Sequence, residues 1–182
     1  MYIDPTLYPG RPADRRTDAE EAIYEKLDEL GLSYTRVDHD PGNTMEDCAA
    51  IEQVLGTQIC KNLLLTNRQQ TDFYLLLMGD KPFKTKYLSA QLGCSRLSFA
   101  TAEHMEALLR AAPGSASALE LVFDSEGKVR LVVDQPLLGW DTVGAHPGRN
   151  TSTVKLATDD LLRYVRACGH EPVFVDLPTE EE

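Results

Sequence analysis

Ile59-Cys60-Lys61-Asn62-Leu63-Leu64-Leu65 is an apolar run with one lysine and one asparagine set into it, followed after a polar turn by Phe73-Tyr74-Leu75-Leu76-Leu77-Met78. Gly56 bounds the first run upstream and Thr66-Asn67-Arg68 bounds it downstream, so its length suits a strand better than a helix. Two such runs across a short turn predict a hairpin. Because both are continuously apolar, the sheet holding them must be covered on both faces, which means α/β packing. Lysine is rarely buried, because an unpaired ammonium is costly to take out of water. Strand alternation puts Lys61 with Leu63 and Leu65 on one face and Asn62 with Leu64 on the other. Two readings of Lys61 follow. It is either an edge-strand lysine whose stem lies on apolar surface while its head reaches water, or a lysine at a pocket mouth that holds an anionic or carbonyl oxygen.

The chain has 182 residues, 42% hydrophobic and 26% charged, enough for one well-buried core and short for two. No apolar run reaches the roughly 20 residues of a membrane helix, and Met1-Tyr2-Ile3-Asp4-Pro5 lacks the pattern of a signal peptide. No membrane association and a cytoplasmic location are expected. Cys48, Cys60, Cys94 and Cys168 form no CxxC pair and no metal-type spacing, so they read as reduced and mostly packed, with no metal site. The formal net charge of −11 argues against nonspecific coating of nucleic acid. Acidic residues crowd the segment from Asp18 to Glu29 and the last three positions, Glu180 to Glu182. Two windows contain no carboxylate: 81–102, with Lys81, Lys84, Lys86 and Arg96, and 143–158, with His146, Arg149 and Lys155. Such windows are either chance clusters on solvated faces or one local phosphate track.

Residues 1–16 read as an irregular arm, residues 17–177 as the folded domain and residues 178–182 as an acidic tail. Thr17-Asp18-Ala19-Glu20 is a capping box for a helix that stops at Gly31. Ser33 to Asp38 alternates as a strand, His39-Asp40-Pro41-Gly42 breaks it, and Thr44 caps a helix ending near Gly56. Further helices are expected near Lys84 to Leu92, from Thr101 to Arg110, and from Asp159 to Cys168 with Thr158 as cap. Leu119 to Phe123 and Lys128 to Val133 read as a hairpin across Asp124-Ser125-Glu126-Gly127. Trp140 to Val143 and Thr151 to Leu156 read as strands flanking the loop 144–150, and Pro172 to Leu177 as the last. The loop Ala112-Pro113-Gly114-Ser115-Ala116-Ser117-Ala118 is built of small residues, which let a ligand approach the backbone and offer amides to an anion, although Pro-Gly-Ser is also common turn composition.

No Walker loop, GxSxG elbow or dinucleotide fingerprint occurs, so phosphoryl transfer and redox chemistry have no support and no cofactor is expected. In their order and local sequence, Cys60-Lys61-Asn62-Leu63-Leu64-Leu65, Leu97-Ser98-Phe99-Ala100, Ala112-Pro113-Gly114-Ser115, Ala145-His146-Pro147, Asn150-Thr151-Ser152-Thr153 and Gly169-His170-Glu171-Pro172 resemble the YbaK family of aminoacyl-tRNA editing domains. The resemblance is greatest to the family's free-standing branch, which deacylates alanyl-tRNA(Pro), and runs from about Thr17 to Asp176. It implies a single α/β domain with a mixed, mostly antiparallel, barrel-like sheet flanked by helices. It also implies that Lys61 is the functional lysine and that Gly114 and His146 line the amino-acid pocket, with Thr44, Asn62, Ser115 and Asn150 close by. Where the family usually reads Gly-Ser-Val-Thr-Pro-Phe-Gly-Leu, this chain has Gly114-Ser115-Ala116-Ser117-Ala118-Leu119-Glu120-Leu121, and an aromatic often found before the His-Pro pair is Ala145.

Hydrolysis of an aminoacyl ester needs a positioned water, a stabiliser for the oxyanion and a proton acceptor. Lys61 can supply positive charge, and amides around Gly114 and Ser115 can supply donors. His146 titrates in the right range for a base, yet a loop histidine beside proline is more often a packing residue. The resemblance implies a water activated in part by the substrate's own ribose hydroxyl, without covalent intermediate or metal. The expected function is trans-editing of tRNA(Pro) carrying a small wrong amino acid, alanine first. The acceptor end would lie along Lys81, Lys84, Lys86, Arg96, Arg149 and Lys155, with prolyl-tRNA synthetase a possible partner. The alternative is a noncatalytic module of the same fold that binds tRNA 3′ ends or a synthetase.

Overall fold

The computed structural model describes residues 1–42 and 44–179. The expected acidic tail therefore lies partly outside the described residues, at Glu180, Glu181 and Glu182. Elements follow in the order β1 (Tyr8–Pro9), α1 (Asp18–Glu29), β2 (Tyr34–Asp38), α2 (Met45–Leu55), β3 (Lys61–Thr66), β4 (Phe73–Met78), α3 (Thr85–Leu92), β5 (Ser98–Phe99) and α4 (Ala102–Leu109). A 3-10 segment (Ala118–Phe123), β6 (Val129–Asp134), a second 3-10 segment (Gln135–Gly139), β7 (Thr142–Ala145), β8 (Ser152–Ala157), α5 (Thr158–Ala167) and β9 (Val173–Val175) complete the chain.

β3 and β4 form the expected antiparallel hairpin, with Leu64 opposite Leu75 and Lys61 opposite Met78. They are the centre of a five-stranded sheet ordered β5-β3-β4-β6-β9, in which β4–β6 and β6–β9 are parallel. Alternation divides their side chains as the apolar runs require. Leu64, Leu75, Leu77, Leu131 and Val133 face the larger core with α1 and α5, while Leu65, Tyr74, Leu76, Met78 and Val132 face a second cluster under Leu88 of α3. The second sheet, β1-β2-β8-β7, is antiparallel throughout. The two sheets meet at a bridge between Ile59 and Gly144, where the Gly144 amide donates to the Gln58 carbonyl at 2.8 Å. A Cβ on Gly144 would come within 3.0 Å of the Ile59 side chain, so this crossing requires a glycine.

The barrel expected from the resemblance is not formed. The five-stranded sheet carries a core on each face, so it has no apolar face left that closure would have to hide. The strand and hairpin expected around Leu119 to Gly127 are also absent. Ser117 closes a capping box instead, its hydroxyl accepting the Leu119 amide at 3.1 Å while Glu120 Oε1 accepts the Ser117 amide at 2.7 Å, and the chain winds into a 3-10 segment. Asp124 then accepts the amides of Lys128 and Val129 and turns the chain into β6. Thr158 is the first residue of α5 and not its cap, since Ala157 holds that position without a side-chain bond. The arm is held to the body. β1 pairs with β2, and Ile3 bridges to His39.

Candidate active site

A cavity of about 700 Å³ opens between α2, the start of β3 and the small-residue loop. Its wall includes Thr44, Cys48, Glu52, Lys61, Asn62, Met105, Pro113, Gly114, Ala116 and His146. Four residues expected at the site, Lys61, Asn62, Gly114 and His146, thus come together from three separate stretches of sequence, and Thr44 joins them.

Lys61 sits at the mouth with its side chain 42% exposed. Its Nζ lies 3.4 Å from Asp80 Oδ1 and 3.4 Å from the Lys81 carbonyl. Asp80 is itself exposed, so the pair is well solvated and weak, and the ammonium can leave it for a better anion. Asn62, on the opposite face of β3, works as a strut. Its Nδ2 donates to the Cys60 carbonyl at 3.0 Å and its Oδ1 accepts the Ala118 amide at 3.0 Å, which fixes the small-residue loop against the strand. Cys60 is buried, and burial pushes its thiol up to about 11, which leaves it protonated at neutral pH.

The loop turns at Gly114, whose φ of +85° favours glycine. Ser115 does not face the cavity. It is buried, with its hydroxyl and its amide both donating to the Ala112 carbonyl, at 2.9 Å and 3.0 Å. An amide spent inside the turn is no donor for a ligand, so the usable ones on this rim are those of Gly114 and Ala116, which bond to no other described residue. Thr44 is the N-cap of α2, its hydroxyl accepting the Asp47 amide at 3.0 Å. Asn150 stands behind the cavity wall, where its carbonyl accepts the Gly42 amide at 3.3 Å.

His146 is buried in the loop after β7, and its Nδ1 lies 3.0 Å from the Ser152 carbonyl. A carbonyl can only accept, so Nδ1 carries the proton and Nε2 keeps its lone pair. Desolvation, above all, lowers the pKa of His146, and nearby His39 lowers it further against the Ser152 carbonyl. Thr153 Oγ1 is 3.2 Å from His146 Nδ1 and 2.8 Å from His39 Nε2, while His39 Nδ1 donates to the Asp40 carbonyl at 2.7 Å. His39, Thr153 and His146 therefore form one buried relay with fixed tautomers. Sequence reasoning missed His39 as a site residue, because His39-Asp40-Pro41-Gly42 reads first as a strand breaker. It missed Cys48, Glu52 and Met105 because they lie on helix faces that carry no motif.

The cations expected to form one track separate in the fold. Lys84, Lys86 and Arg96 line a single depression beside α3. Lys81 does not belong there: its side chain is 11% exposed, with Nζ 2.6 Å from the buried carboxylate of Asp134 and 2.6 Å from the Leu177 carbonyl, and it clasps the C-terminal segment. Lys155 lies on β8 in another depression with Leu7, Tyr34 and Thr142. Arg149 is turned to backbone, its Nη1 donating to the carbonyls of Gly148 and Arg110.

Comparison with known proteins identifies the family. The family described as "Aminoacyl-tRNA editing domain" matches residues 39–164. The prolyl-tRNA editing protein ProX of Acetoanaerobium sticklandii is 34% identical over 161 residues, which span 88% of this chain and 98% of that protein. The prolyl-tRNA synthetase associated domain-containing protein 1 of Danio rerio is 29% identical over 168 residues, 91% of each chain. Among solved structures, a candidate trans-editing enzyme for prolyl tRNA synthetase superposes with a TM-score of 0.67 at 20% identity, covering 92% of this chain and 100% of that one, which shows a shared fold. By its matched segment and its relatives, this chain belongs to the aminoacyl-tRNA editing domain family.

Proposed function

We propose that the protein is a trans-editing hydrolase that cleaves the ester of a small mischarged amino acid, alanine first, on tRNA(Pro). The observation that carries this reading is the convergence of Lys61, Gly114 and His146 on one cavity, in a chain whose relatives include a prolyl-tRNA editing protein. At about 700 Å³ the cavity exceeds what an alanyl group fills, so it has room for the terminal ribose that carries the ester.

Lys61 supplies positive charge at the mouth, toward the ester or the terminal phosphate, and exchanges its weak bond to Asp80 for the substrate. The Gly114 and Ala116 amides are the donors for the oxyanion. Neutral His146, with its lone pair on Nε2, is the protein group able to accept a proton from water, acting beside the ribose hydroxyl. Discrimination in an apolar pocket amounts to about 1–3 kcal/mol per methylene, so proline must be excluded by clash with the Pro113–Ala116 rim and Met105. The depression of Lys84, Lys86 and Arg96 meets phosphates of the acceptor end.

The test is deacylation of alanyl-, cysteinyl-, seryl- and prolyl-tRNA(Pro) by the purified protein. Release of alanine ahead of the others, with prolyl-tRNA(Pro) spared, is expected. Faster release of proline than of alanine overturns the substrate assignment, and binding without turnover on all four makes the protein a noncatalytic module.

A further inference from the structure

Phe99 is 59% exposed at the outer edge of the five-stranded sheet. It stands directly opposite Leu65, and residues opposite one another in an antiparallel pair share a face. That face is the one carrying Lys61, Leu63 and Leu65. Phe83 and Leu63 pack against the same cluster as Leu65, and the Phe83 ring meets Phe99 edge-on with centroids 6.3 Å apart. Leu63 also lines the catalytic cavity. Leu65 itself is fully buried, so the accessible strip on this face consists of Lys61, the half-buried Leu63 and Phe83, and the exposed Phe99, about 13 Å from end to end at the rise of a strand. Lys84 follows Phe83 directly in the chain, Arg96 stands three residues before Phe99, and these two line one depression with Lys86 at the first turn of α3, which has no side-chain cap.

Isolated exposed hydrophobics are ordinary. Here, however, the exposed ring and three cations that share one depression belong to a single window free of carboxylates, and Leu63 on the same face lines the cavity. We propose that this strip binds the unpaired 3′ end of the RNA, with one base stacked on Phe99 and the adjoining phosphates held by Lys84, Lys86 and Arg96. The proposal rests on the deacylase reading and adds the path by which the strand enters. Paired RNA would satisfy the cations but present no free base face to the ring. A second copy of the chain is disfavoured, because β5 is two residues long and its neighbouring cations would repel their own image.

The test uses fluorescence anisotropy at low salt with a labelled oligoribonucleotide ending in unpaired CCA, and with a blunt hairpin of matching stem. Phe99→Ala should weaken binding of the CCA strand roughly five- to 150-fold, the loss of one stacked base. Phe99→Leu, which keeps apolar bulk without a π face, should be nearly as weak, and Phe99→Trp should restore binding. Equal affinity of Phe99→Ala and the parent protein overturns the proposal, as does a blunt hairpin bound as tightly as the free strand. A dimer in sedimentation that Phe99→Ala converts to monomer, with RNA binding unchanged, also overturns it and makes the face an interface between copies. The two readings fail separately. Stacking without turnover on any charged tRNA rejects the deacylase alone, and turnover with no Phe99 effect rejects the stacking path alone.

Discussion

Lys61 is the first residue of β3, and its exposure follows from that position: the face it shares with Leu63 and Leu65 becomes buried only as the strand runs inward under α3. Its stem contributes little core volume, so Lys61→Ala should leave the thermal midpoint within a degree or two while lowering kcat/KM for alanyl-tRNA(Pro) by about 10²-fold or more, the scale of a lost preorganised positive charge beside the reacting ester. A variant that keeps normal turnover, or that unfolds, would make Lys61 structural. His146 poses a different test, because its environment holds it neutral. Its pKa in the fold lies below the ordinary 6.5, so the acid limb of the pH–rate profile should have its midpoint below 6.5 if His146 accepts the proton. The stability consequence has the same sign. What burial of the neutral ring contributes is fully present above 6.5 and is lost as pH falls through that value toward the folded pKa. A limb at or above 6.5 that His146→Gln leaves in place would assign the proton to another group.

At the scale of elements, the 3-10 segment Ala118–Phe123 departs furthest from expectation, and Glu120 shows why. Its side chain is fully buried, and desolvation raises its carboxyl to about 9, so it is protonated at neutral pH and caps Ser117 as an acid. A raised acid contributes its full stability below the unfolded value and loses it as pH climbs toward 9, with a slope of up to about 1.4 kcal/mol per unit. Glu120→Gln keeps the acceptor for Ser117 without the ionisation. Chemical denaturation between pH 5 and 9 should therefore show the parent losing stability with rising pH and the variant holding a flatter line; parallel lines would mean that Glu120 reaches solvent. Leu119-Glu120-Leu121-Val122-Phe123 is a short apolar run with one acid in it, which suits a strand, and nothing local in it reveals that Ser117 and Glu120 would bond to each other. By contrast, β3, β4 and the helices capped by Thr17, Thr44 and Thr101 were legible, because apolar runs and capping boxes are short-range signals. On the cavity wall, Lys61, Gly114 and His146 are the residues to which the family resemblance pointed. The orientation of Ser115 into its own turn, and the relay through His39, depend on contacts between distant segments that no local pattern encodes.

At the scale of the whole molecule, the deacylase reading asks a chain of net charge −11 to hold a polyanion, and the fold separates its charges. Acidic residues fill α1, which packs on the larger core, while Lys84, Lys86 and Arg96 lie beside α3 on the other side of the five-stranded sheet. With Lys81 taken by Asp134 and Lys155 on the other sheet, the cationic cluster is smaller than the sequence suggests. So few cations neutralise only a few phosphates, and the slope of log affinity against log salt should be about −2 at roughly 0.7 per phosphate of an unpaired strand. Reversing Lys84 and Lys86 to glutamate together should raise KM for charged tRNA about tenfold or more at low salt and flatten that slope. Turnover at saturation should change less than twofold, because phosphate contacts bind ground state and transition state alike. A fall in kcat without a rise in KM would mean that these lysines act on the reacting ester. Unchanged kinetics would remove the depression from the RNA path and leave delivery of the tRNA to a synthetase partner, a result that adding prolyl-tRNA synthetase to the same assay would check directly.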